Sequence, residues 1–99
     1  MLTLLALLAC SPGLAPDDFP AAWADAECSR GVACGWTDSG DLALCLDDQS
    51  TGIDAALVST CTAWDPGLAA DCVAELSAAE CDKQIPSCAE LAASCAAHD

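Results

Sequence analysis

The sequence predicts a small all-α domain: a disulfide-stapled bundle of about four short helices, arranged as two helical hairpins. Three observations predict it. Eight cysteines are spread from Cys28 to Cys95. Apolar residues recur at helical spacing, and no stretch shows the period-two alternation of a strand. Helix start signals also recur, with Asp65-Pro66 in one place and Ser87 three residues before Glu90 in another. Composition supplies the reason for the staples. The chain has one Phe, three Trp and no Tyr, so bulky core side chains are scarce. A domain this small buries only about 60% of its unfolded surface, whereas each disulfide adds roughly 2–4 kcal/mol by restricting the unfolded chain.

The first element is a leader. Leu2 to Ala9 are apolar except for Thr3. As a helix this run spans about 12 Å, against about 30 Å for a bilayer core, so its length suits the apolar core of a signal peptide. Pro12, Gly13, Pro16 and Pro20, around Asp17 and Asp18, predict an extended, flexible tether over 11–19. Leu7-Leu8-Ala9-Cys10 resembles the lipobox of bacterial lipoproteins. The resemblance implies cleavage before Cys10, a diacylglycerol on its sulfur and an acyl group on its new amino terminus. Ser11 at the following position implies, in that family, delivery to the outer membrane. No Lys or Arg precedes the apolar run, which departs from the family's usual n-region. The resulting division is a signal peptide at 1–9, a lipidated cysteine and tether at 10–19, and a disulfide-rich helical domain at 20–99.

Cysteine parity points the same way. Setting Cys10 aside from the nine cysteines leaves Cys28, Cys34, Cys45, Cys61, Cys72, Cys81, Cys88 and Cys95. That even set reads as four disulfides in an oxidising compartment.

The helices follow in order. The first is expected over 20–34, with Asp18 as N-cap, Pro20 in the first turn, Trp23, Ala26 and Ala33 near one face, and Gly35 ending it. "GWTDSGD" (35–41) reads as a loop. The second is expected over 51–64. Thr51 and Asp54 resemble a capping box, and Ile53, Leu57, Cys61 and Trp64 form a stripe. The third is expected over 66–81, capped by Asp65, with a stripe of Leu68, Cys72, Leu76 and Ala79 and a break at "DKQIP". The fourth is expected over 88–97, opened by a Ser87–Glu90 capping box, with Cys88, Leu91, Ala92 and Cys95 inward.

Helix geometry prunes the 105 pairings that eight cysteines allow. Cys88 and Cys95 are too far apart along one helix to join, as are Cys72 and Cys81. Nesting across antiparallel hairpins predicts Cys81–Cys88, Cys72–Cys95, Cys34–Cys45 and Cys28–Cys61. "CVAELSAAEC" followed by "IPSC" resembles the small Cys-rich lipoproteins common in myxobacteria and related deltaproteobacteria. The resemblance implies a helical body punctuated by cysteines and transfers no functional residue.

The remaining chemistry is sparse. A net charge of −14, from 16 acids against Arg30 and Lys83, repels nucleic acid and anionic headgroups. There is no C-x-x-C and only one histidine, His98, so the cysteines read as neither zinc ligands nor a redox dithiol. Asp47, Gln49, Thr51 and Gly52 fall at the early positions of a calcium loop, but Asp54 and Val58 spoil the later ones. Asp38 and Asp41 form another loop pair, and turn chemistry accounts for both sets. Trp23 and Trp64 are expected in the core, while Trp36 is open between core and binding anchor. No metal, cofactor or catalytic residue is expected. The expected protein is a non-enzymatic, lipid-anchored envelope protein, its membrane contact made through Cys10 and its protein partner unknown. The alternative is a secreted disulfide-rich binding or inhibitory module.

Overall fold

The computed structural model describes residues 13–96, and within them the fold is the expected all-α one. Helix α1 spans Phe19–Ala33 and α2 spans Leu42–Ile53, entered by a 3-10 turn at Ser39–Asp41. A π-helical turn, Asp54–Val58, extends α2, and α3 (Pro66–Ala78) and α4 (Pro86–Ala96) follow. Consecutive helices pack in pairs, α1 on α2 and α3 on α4, and α1 also packs on α3. The core forms where the two hairpins meet, around Phe19, Ala69, Cys72, Leu91 and Cys95.

Local signals account for much of this. Pro20 occupies the first turn of α1, but Asp18 makes no side-chain cap; the backbone closes the entry, with Phe19 N donating to Ala15 O at 3.1 Å. At the other end Gly35 takes φ +78°, and a Schellman closure forms. Trp36 N donates to Gly31 O at 2.8 Å and Gly35 N to Val32 O at 3.2 Å. Gly31 is buried because the returning chain passes over it: a Cβ there would sit 2.7 Å from Thr37 Oγ1. In α3, Asp65 caps as expected, its Oδ1 accepting from Leu68 N at 3.0 Å, with Pro66 in the first turn.

Three helices depart from expectation in their boundaries. The second helix begins at Leu42, not 51, and its last turn ends at Val58, so Thr51 lies inside a helix and caps nothing. The π turn, with Ser59 N donating to Asp54 O at 2.8 Å, inserts a residue into the helical repeat and directs both Leu57 and Val58 at the core. Helix α3 stops at Ala78, with Ala79 extended, leaving Cys81 in the following loop. Helix α4 starts at Pro86, so Ser87 lies within it. Instead of a capping box, Glu75 of α3 serves Ser87: Oε1 accepts from Ser87 N at 3.1 Å and Oε2 accepts from Ser87 Oγ.

These boundaries decide the disulfides. The bonds are Cys28–Cys45, Cys34–Cys81, Cys61–Cys95 and Cys72–Cys88. None is a pairing that nesting predicts; Cys88–Cys95, excluded within one helix, is absent, and Cys72–Cys81 is absent too, although Cys81 lies off the helix. Each hairpin has one internal rung, Cys28–Cys45 for α1–α2 and Cys72–Cys88 for α3–α4. With Cys72 opposite Cys88, Cys95 falls beside the start of α3, where the incoming loop delivers Cys61. Cys81, off the helix, reaches Cys34 at the end of α1. Cys34–Cys81 thus joins the two hairpins, and Cys61–Cys95 ties the loop between them to α4.

The start of the body also differs. Gly13 to Asp18, expected in the tether, are docked on the domain. Leu14 N donates to Pro66 O at 3.0 Å, and Trp64 Nε1 donates to Leu14 O at 2.8 Å. No described helix is long and apolar enough to cross a membrane.

Candidate functional site

Cys10, with the apolar run before it, lies outside the described residues, as does His98. The eight other cysteines are brought together in four bonds with Cα–Cα distances of 4.5–5.9 Å. Four disulfides in a chain of this size place the domain in an oxidising, extracytoplasmic environment.

The candidate calcium residues do not assemble. Asp47, Gln49, Thr51 and Gly52 all lie within α2, where successive alternate residues point to different sides of the cylinder. Asp38 and Asp41 bracket a turn, Asp41 N donating to Asp38 O at 2.9 Å. Among the described residues no group of three or more His, Cys, Asp or Glu side chains is placed to hold a metal ion.

The tryptophans divide between core and surface. Trp23 and Trp64 pack on fully buried Phe19, with ring centroids 6.0 and 5.1 Å away, the second edge-to-face. Trp36 is 59% exposed, with the Arg30 guanidinium 5.3 Å from its ring centre, a cation–π contact.

Arg30 is the side chain that organises the junction between hairpins, and sequence reading assigned it no role. Its position in the last turn of α1 suits the negative end of the helix dipole. From there Nη2 donates to the carbonyls of Glu80, Cys81 and Lys83 at 2.9, 3.1 and 3.0 Å. Nη2 carries two N–H groups, so three carbonyls around it share them, and the loop's acceptors converge on one nitrogen. Beside it opens a cleft of about 370 Å³, lined by Asp25, Ser29, Arg30, Cys34, Ser77 and Cys81 among others. A second cavity, about 290 Å³ and mainly apolar, lies between Phe19, Trp23, Ile53, Leu57 and Leu91.

Glu75 is the second residue without a sequence-level role. The hydrogen bond from Ser87 Oγ, and after it that from Ser87 N, hold its carboxyl below the ordinary value of 4.5 against a weaker opposing effect of desolvation. Its task is structural, closing the first turn of α4. Chemically the cleft offers one guanidinium engaged in loop binding, one carboxylate, two hydroxyls and a disulfide. Searches against protein-family models, curated proteins and solved structures return no match.

Proposed function

We propose that this protein is a lipid-anchored cell-envelope protein, similar to the small Cys-rich bacterial lipoproteins, acting through structure or interaction rather than catalysis. The observation that carries this reading is the disposition of the cysteines. Four bonds use eight of the nine, within one small domain. The ninth is Cys10, at the end of the apolar run and in a lipobox-like context. One hypothesis accounts for both the leader and the even count. Cleavage before Cys10 removes the apolar run, and the acyl chains on Cys10 then provide the hold on the bilayer. One chain gives only marginal binding, whereas two or more give stable attachment. Ser11 points to the outer membrane as the destination.

The test is the intact mass of the protein isolated from its native membrane, beside a Cys10→Ala variant. A diacylglyceryl adduct on Cys10 is expected, with the variant released or left as uncleaved precursor. A variant that keeps its place in the membrane fraction with the leader removed would defeat the proposal. A body of native mass, cleaved and without lipid, would favour a secreted module.

A further inference from the structure

The four bridges are unequally sheltered. Cys28, Cys72 and Cys95 are buried at 0, 1 and 6% exposure, so three bridges have one partner sealed in the interior. Cys34–Cys81 has neither: Cys34 is half-buried and Cys81 exposed, and both line the 370 Å³ cleft between α1 and the α3–α4 loop. The fold also depends less on this bond than on the others. Cys34 follows the last residue of α1 and Cys81 sits in a turn, so the bond fastens no two helix faces. Arg30 holds the same turn through three carbonyls. Packing of α1 on α3 joins the hairpins without it, and Cys61–Cys95 ties the loop between them to α4.

The geometry points to Cys34–Cys81 as a thiol-exchange site, a bond that a dithiol reductant opens through the cleft while the fold persists. One thiolate of the reductant attacks Cys81 Sγ and forms a mixed disulfide. The Cys34–Cys81 bond breaks, and Cys34 leaves as a thiolate that is protonated from water in the cleft. This direction is favoured because Cys81 is the exposed partner and Cys34 the half-buried one, and exchange requires access to the attacked sulfur. The reductant's second thiolate then attacks its own sulfur in the mixed disulfide, closing a cyclic disulfide and releasing Cys81, which is protonated in turn. Two electrons pass from the dithiol to the bridge, and two protons replace the S–S bond. Arg30 keeps the turn beside α1, so the thiols stay near each other and an oxidised disulfide can reverse the exchange. Opening removes the covalent rung from one wall of the cleft.

The experiment is stepwise reduction of the native protein with dithiothreitol, quenched by acid, followed by mass-tag alkylation and peptide mapping. The first species should carry two tags, on Cys34 and Cys81. It should form on the order of tenfold faster than any later one, as accessibility of the attacked sulfur requires, with helical circular dichroism unchanged. A Cys34→Ser/Cys81→Ser double variant should lack this early species and reduce its other three bridges at unaltered rates. The wild-type order decides alone should the double variant not fold. First tags on any other pair, or eight tags arriving together with loss of helix, overturn the proposal.

Discussion

Glu75 shows how a single carboxylate can replace a local cap. The four leading N–H groups of a helix need partners, and at α4 one of them, Ser87 N, finds its partner on a different helix. Because the bonds from Ser87 favour the ionised form, the folded-state pKa of Glu75 lies below its unfolded value of 4.5. A depressed carboxylate contributes stability that is fully present above the unfolded pKa and is lost as pH falls through the folded one. Glu75→Ala should therefore melt at a lower temperature than wild type at neutral pH, and the gap should narrow as pH drops below about 4.5. Thermal melts of both proteins from pH 7 to pH 3 check this; a gap independent of pH would remove Glu75's charge from the account. The local pattern pairs Ser87 with Glu90, because a capping box spans only three residues. The true partner is 12 residues away and becomes visible only once α3 lies against α4.

At the scale of elements, what was legible was what acts locally. Asp65 and Pro66 start α3 by their own chemistry, and Asp65→Ala should cost about 1 kcal/mol, as N-cap removals do. Urea titration measures it, and an unchanged midpoint would show that the Oδ1–Leu68 bond contributes nothing. Gly35 likewise ended α1 through the positive φ that glycine tolerates. The second helix starts earlier than local signals suggest because Thr51 and Asp54 read as a capping box, whereas Thr51 lies inside α2 and the helix is entered by the turn at Ser39–Asp41. Disulfide pairing then failed as a consequence. Register across a hairpin depends on where each helix stops, and the early end of α3 carries Cys81 off the helix and out of the hairpin's ladder. The half-buried Arg30 left no sequence signal beyond being one of two basic side chains in an acidic chain.

At the scale of the whole molecule, the docking of residues 13–18 changes how far the body stands from Cys10. A tether reaching to residue 19 would let the domain roam, but Leu14 is fastened to Pro66 and Trp64. Three residue steps separate Cys10 from Gly13, a span of at most about 11 Å. On the proposed anchoring, the face around Gly13, Pro66 and Trp64 is therefore held close to the headgroups. The close approach requires a glycine: a Cβ at Gly13 would lie 2.6 Å from Pro66 Cβ and 3.2 Å from Pro66 C. Gly13→Val should lift the segment, break both Leu14 hydrogen bonds and cost roughly 1–3 kcal/mol. A protease that cuts before aspartate gives the direct readout, because Asp17 and Asp18 are exposed side chains on a backbone that docking holds still. In the native protein cleavage there should be slow, and in Gly13→Val it should become the first cut. Equal rates in the two proteins would mean that the segment is not fastened in solution, and the short reach from Cys10 to the body would fall with it.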